Sequence, residues 1–227
     1  MNQSTFPRQS FSPPRISENE MLRRGKTMVN DLLQRRSIRD FAPDPVSRTL
    51  IEQALEAANS APSGANRQPW SFVAVSDPRV KAEIRVAAEA EERAFWEGGT
   101  TPQAWLDALA PFGLDWRKPF LEVAPWVVVV FKEIHGINED GSKKTNYYVN
   151  ESVGIACGLF IAALQTMGLS TLTHTPQPMR FLNTILGRPS NERPFILFPV
   201  GYPAKDCTVP DLSKKDWAEA TSWFTAS

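Results

Sequence analysis

The chain has 227 residues, 42% of them hydrophobic and 22% charged, and its 25 Lys plus Arg balance its 25 Asp plus Glu to a net charge of zero. That is enough apolar material for a substantial core, and it lacks the basic excess on which nucleic-acid binders draw. Two cysteines without CxxC spacing and only two histidines argue against a disulfide scaffold and against a metal cluster, and the thiols suit a reducing cytoplasm.

Residues 1–22 read as a flexible N-terminal arm, polar and proline-bearing, without the apolar core of a secretory signal, ahead of one domain over 23–227. A helix is expected over 28–36, where Val29, Leu32 and Leu33 have helical spacing, and a second over 46–59, capped by Asp44 or Ser47. The loop 60–69, with Pro62, Gly64 and Asn66, hands over to a strand at Trp70–Val75, and Pro78 opens a helix that runs to about residue 92. Residues 94–119 are polar, aromatic-rich and punctuated by glycine and proline, the profile of a lid. The β-branched run 126–131 reads as a fully buried strand. A long helix over 147–167, stopped by Gly168, precedes strands at 169–173 and 195–200, with a short helix over 179–186 between them.

Residues 152–179 contain no Asp, Glu, Lys or Arg, but the apolar run 153–164 is only about half the ~20 residues a membrane span needs. A buried helix followed by a buried strand is expected, and no membrane partner. The small-residue face of that helix (Gly154, Cys157, Gly158, Ala162) permits close packing against a second subunit. The amphiphilic tail 210–227, with Trp217, Trp223 and Phe224, is expected to pack there too.

Two segments carry candidate chemistry. Arg35, Arg36, Ser37 and Arg39 put three guanidiniums and a hydroxyl in five residues, which suits a phosphate. They suit equally a helix end that its arginines complement. In the loop Pro62-Ser63-Gly64-Ala65-Asn66-Arg67-Gln68, small residues admit a close ligand, or make an ordinary helix-to-strand turn. There is no GxGxxG after a strand, no GxxxxGK[ST] and no GxSxG, and no recognisable NAD(P)H pocket names an electron donor.

RRSIRDF at 35–41 and APSGANRQPWSFVAV at 61–75 resemble the opening signature of the nitroreductase superfamily of FMN enzymes. AEAEERAFW, DWRKPFLEVAP, NYYVNESVGIACGLFIAAL, LSTLTHTP and FPVGYPAKDCTVPDL follow in order and resemble its iodotyrosine deiodinase branch. The resemblance implies an α+β fold with a central mixed sheet flanked by helices, in an interlocked homodimer with FMN at each inter-subunit site. It implies Arg35, Arg36, Ser37, Arg39 and Lys214 around the FMN phosphate and ribityl chain, Lys214 standing where an arginine is expected. Pro62, Ser63 and Gly64 would line the flavin, and the Ala65 N–H would meet a substrate phenolate. Backbone N–H groups of Thr173, His174 and Thr175 would face the ring, with the Thr173 hydroxyl, or failing it Thr175, at N5.

Glu91 and Lys118 match the branch's partners for an amino-acid zwitterion. Phe95 replaces a tyrosine whose hydroxyl is lost, and Trp96 offers an indole N–H in its stead. The implied activity is reductive dehalogenation of halotyrosines such as 3-iodotyrosine and 3,5-diiodotyrosine. The alternatives are a general nitroaromatic or quinone reductase, and a flavin-binding module without turnover.

Overall fold

In the computed structural model residues 6–226 are described; residues 1–5 of the expected arm and residue 227 of the tail lie outside them. The chain divides into two compact units, 1–35 and 36–227. In the first, helix α1 (Glu18–Gln34) is capped by Ser17, whose hydroxyl accepts the Glu20 N–H at 3.4 Å. Glu20 pairs with Arg23 and Arg24 at 2.7 Å. Met21, Leu22, Met28, Val29, Leu32 and Leu33 share one broad face. The helix expected over 28–36 thus begins earlier, because Ser17 and Glu20 supply a cap and a first-turn acid. It ends sooner, because Arg35 turns extended at ψ 125°.

In the second unit helix α2 (Arg48–Asn59) leads to strand β1 (Trp70–Val75), then α3 (Pro78–Glu97), α4 (Gln103–Leu109) and the short α5 (Phe120–Val123). Strand β2 (Trp126–Glu133) is followed by β3 (His135–Ile137), β4 (Lys143–Thr145), α6 (Val149–Thr166), β5 (Ser170–Thr171), α7 (Phe181–Ile185) and β6 (Glu192–Gly201). Ser47 holds the cap position of α2 without a side-chain bond. Strands β3 and β4 form a separate hairpin, and their exposed Lys143, Lys144 and Thr145 gave no apolar alternation to read.

The main sheet has the order β1-β2-β6-β5, and every neighbouring pair is antiparallel. The expectation of a mixed sheet is therefore corrected. Among the described residues parallel pairing is confined to one bridge, Ser37 with Thr171, since β5 spans two residues and gives the extended segment beside it no room for more.

Alternation along the strands divides the apolar residues between two cores. Val128, Val130, Phe198 and Val200 face α2 and α6, where Phe160 packs on Phe198 with ring centroids 5.3 Å apart. Val127, Val129, Phe131 and Leu197 face α3, α5 and α7. By length and composition α6 could cross a membrane. Instead Val153, Ala156, Cys157, Phe160 and Leu164 form a stripe buried against α2 and the sheet. Cys157 belongs to that inward stripe and not to the small-residue face, because residues 153, 157, 160 and 164 share one side of the helix. Burial pushes its thiol up to about 12.

Lys81 is buried and donates to the carbonyls of Glu122 and Ala124 at 3.0 and 2.7 Å. It satisfies acceptors that the end of α5 leaves without helical donors, and so ties α5 to α3. Burial lowers its pKa.

His174 exchanges both backbone hydrogen bonds with Leu197 at 2.9 Å, and its ring meets Phe120 edge-on at 5.4 Å. Burial first, then the charges of Lys118 and Arg39, lower its pKa from 6.5 to about 3. With the folded-state value depressed, the unfolded chain takes up this proton first on acidification. The stability contributed is therefore full above 6.5 and is lost as pH falls toward about 3. Denaturant titrations between about pH 7 and about pH 4 should show a shallower acid loss in His174→Gln than in the wild-type chain, and equal slopes would assign that loss to other groups.

Candidate active site

Helix α3 starts at a capped turn, Asp77 accepting the Arg79 N–H at 2.8 Å with Pro78 in the first helical turn. Its last turns present two neighbouring stripes. Glu91 and Phe95, four residues apart, border a cavity of about 570 Å³. Glu92 and Trp96, which border the same cavity, lie with Glu89 on the adjoining stripe, toward the segment that carries Lys118.

Glu89 accepts the Lys118 backbone N–H at 2.7 Å and Arg85 Nε at 2.8 Å. Glu92 Oε2 accepts the Trp96 indole N–H at 3.0 Å and pairs with the Lys118 ammonium at 3.1 Å. The ammonium also donates to the Asp115 carbonyl. Glu91 and Lys118 therefore reach the same cavity, but Glu92 is the counter-ion of Lys118. The Trp96 indole, expected in place of the lost phenol, is spent on Glu92. Glu91 has no hydrogen bond or ion pair among the described residues.

Phe95 stands edge-on to Trp96 and Trp105, with centroids 5.4 and 5.0 Å away, and forms an aromatic wall. The expected lid 94–119 is more ordered than a loop. It holds the end of α3, all of α4 and a 3-10 turn at Ala110–Phe112 closed by left-handed Gly113, and its Trp105, Leu109 and Leu114 line the cavity.

The opposite wall is the segment after β5. Thr173 and Thr175 line the cavity, and neither their hydroxyls nor their N–H groups have a protein partner among the described residues. The His174 N–H is committed to Leu197, which corrects the expectation that it faces a flavin ring. Its buried Nε2 has no hydrogen-bond partner among the described residues.

Arg39 borders this cavity and a second hollow of about 390 Å³ that Ser37 also lines. It is half-buried, and burial lowers its pKa against the opposing charge of Asp40. It makes no salt bridge among the described residues. A sheltered guanidinium without a carboxylate, beside a serine and two unpartnered threonines, is a donor set that fits the phosphate and polar edge of FMN.

The remaining expected residues are not gathered here. Arg36 donates to the Pro210 carbonyl, and Lys214 is exposed on the tail. Arg35 closes the first unit. Pro62, Ser63, Gly64 and Ala65 line neither hollow. In their loop Ala65, Asn66 and Gln68 have left-handed backbones, and Ser63 Oγ accepts the Gln68 N–H at 2.9 Å. A Cβ at Gly64 would lie 2.8 Å from the Tyr147 carbonyl oxygen, so the close approach this glycine allows is to the chain's own backbone. Glu92 was missed altogether. Its signal is the spacing of Glu89, Glu92 and Trp96, which separates it from Glu91 by one helical stripe.

Residues 32–202 match the nitroreductase family. The chain is 49% identical over 208 residues to an iodotyrosine deiodinase of Haliscomenobacter hydrossis, spanning 92% of this chain and 93% of that one. It is 43% identical over 206 residues to iodotyrosine deiodinase 1 of Mus musculus, spanning 90% and 72%. A crystal structure of oxidized iodotyrosine deiodinase bound to FMN and 3-iodo-L-tyrosine superposes with a TM-score of 0.72 at 30% identity, over 88% of this chain and 100% of that one. With a fold, a cavity and a near full-length likeness in agreement, the chain belongs to the nitroreductase family, in its iodotyrosine deiodinase branch.

Proposed function

We propose that the chain is an FMN-dependent reductase that dehalogenates halotyrosines such as 3-iodotyrosine and 3,5-diiodotyrosine, giving tyrosine and halide. The observation that carries this reading is the meeting of Glu91 and Lys118 at one sheltered cavity. A zwitterion needs an anion for its ammonium and a cation for its carboxylate, and both contacts gain strength away from water. Glu91 takes the ammonium, Lys118 the carboxylate, and Phe95 covers the ring.

Arg39 and Ser37 hold the FMN phosphate, joined by Arg35, Arg36 and Lys214; Pro62, Ser63 and Gly64 line the flavin. FMN when bound supplies electrons, so that the carbon–halogen bond breaks, halide leaves with the bonding pair, and a carbon–hydrogen bond forms at the expense of two electrons and one proton. Thr173, with Thr175 as the second choice, offers N5 a hydroxyl that can donate or accept. The Ala65 N–H, which has no protein acceptor among the described residues, receives the substrate phenolate.

Because the 62–65 loop lines neither hollow of its own copy, a second copy supplies it, and the working form is a homodimer. Two features support that assembly: Ile155 is 46% exposed between Gly154 and Gly158, and Phe224 is fully exposed on a tail (210–227) that would pack on the partner. The domain is read within 23–227 after an arm over 1–22, of which residues 18–22 open helix α1. Two free cysteines fit a cytoplasmic setting. The alternative, a general nitroaromatic or quinone reductase, is favoured by Phe95, which lacks the phenolic hydroxyl, but has no use for Glu91 and Lys118.

The direct test is anaerobic incubation of the reduced protein, freed of excess reductant, with diiodotyrosine. Iodide and tyrosine should appear together, and nitroaromatic reduction without iodide would favour the alternative. Glu91→Gln and Lys118→Gln should each weaken halotyrosine binding by about ten-fold or more, the size of a shielded charged contact, and leave a nitroaromatic without a zwitterion largely unaffected. Unchanged halotyrosine affinity in both would remove the assignment of the cavity.

Thr173→Ala should lower the ratio of halide release to nitroaromatic reduction by several-fold, about the effect of one hydrogen bond near 1 kcal/mol. A loss confined to Thr175→Ala would move the role to that residue.

A further inference from the structure

Lys118 is held in an unusual way for a residue that has to greet a ligand. Its ammonium has three N–H donors. It forms an ion pair with Glu92 at 3.1 Å, the two side chains being only 7% and 16% exposed, and it donates to the Asp115 carbonyl. Glu92 is fixed in turn by the Trp96 indole at 3.0 Å. The Lys118 main chain is pinned separately, by Glu89, which Arg85 holds at 2.8 Å. One stripe of α3 thus grips both the backbone and the charged tip of Lys118. Glu91, one stripe over, makes no bond to the protein among the described residues.

We propose that Glu92 is a positioning residue for substrate recognition, which aims a remaining Lys118 donor at the α-carboxylate of an amino-acid substrate. The inference rests on the halotyrosine reading of the cavity. A lysine ammonium on a four-carbon stem is otherwise a mobile point charge, without the built-in fork of arginine. One hydrogen bond and one ion pair narrow the directions open to its remaining donors, and the side chain is ordered before the ligand arrives. Glu91 and Glu92, adjacent in sequence, then divide the labour: one meets the substrate ammonium, the other orients the cation that meets the carboxylate. Discrimination between an amino acid and the corresponding amine runs through Glu92, which borders the same cavity and acts through Lys118.

The test compares FMN-loaded wild-type chain with Glu92→Gln and Glu92→Asp, using 3-iodotyrosine and 3-iodotyramine, which lacks the carboxylate, in equilibrium binding. Glutamine keeps the shape and can still accept from Trp96, and aspartate keeps the charge with a shorter reach. Glu92→Gln should weaken iodotyrosine binding by about ten-fold while iodotyramine moves by less than about two-fold, and Glu92→Asp should recover part of the difference. In turnover, KM for iodotyrosine should rise with kcat nearly unchanged.

Equal losses for both ligands would make Glu92 merely structural and overturn the proposal. Tighter iodotyrosine binding would overturn it as well, by showing that Glu92 competes with the carboxylate for Lys118. If the wild-type chain binds iodotyrosine no better than iodotyramine, the halotyrosine reading fails and the proposal with it. If the wild-type chain discriminates and both variants keep that discrimination, the proposal alone fails.

Discussion

Burial of β2 on both faces is the constraint from which the second unit is built. Val128 and Val130 belong to the core under α2 and α6, while Val127, Val129 and Phe131 belong to the core under α3, α5 and α7. A strand in this position has to satisfy its backbone through two antiparallel neighbours, β1 and β6, and has to be apolar at consecutive residues. Once both layers are fixed on it, α3 and α5 are brought side by side, and Lys81 ties them with a buried ammonium on two carbonyls. The cavity lies beyond that tie, between the last turns of α3 and the lid segment that returns to α5.

Electrostatics at the cavity follow from that meeting of elements. Glu89, Glu92 and Trp96 spend their polar capacity on one another and on the returning segment, whereas Glu91, on the same cavity as Glu92, makes no bond among the described residues. On the far side, among the described residues, Arg39 is sheltered without a salt-bridge partner, and Thr173 and Thr175 retain free donors. Unmet charge and unmet donors thus converge on one hollow. The His174 main chain beside them is satisfied by Leu197, while its ring Nε2 has no partner among the described residues.

The sheet and the long helices were legible where hydrophobic pattern and local punctuation agree. Strand β1 lies where the sequence puts it, at Trp70–Val75. Strands β2 and β6 extend past their apolar runs through Lys132, Glu133, Glu192 and Arg193, because ladder pairing continues where core burial stops. A mixed sheet was expected and an antiparallel one is found, since a continuous apolar run reports burial on two faces and not strand direction. Helix α4 and the β3–β4 hairpin gave too little periodicity to be read.

Among site residues, Glu91, Phe95, Lys118, Thr173 and Thr175 reach one cavity, and only the family likeness singled them out from other polar and aromatic residues. Glu92 stayed hidden beside Glu91 because adjacent glutamates look alike until the helix turns them to different stripes.

The outward side of α6 has a consequence for how residue choice there is to be understood. A Cβ on Gly154 or on Gly158 would meet nothing within 4 Å, so neither glycine is required by crowding inside one copy. In a helix interior each forfeits about 0.8–1.0 kcal/mol of propensity relative to alanine. A lone chain would gain helical stability by replacing both, and its own core would be untouched. In the proposed dimer the same two positions let backbones approach at a distance that methyl groups would prevent. In that proposed dimer the sequence of α6 is a compromise between the helix as a local structure and the helix as a shared surface, where substitutions that help the isolated chain would harm the assembly.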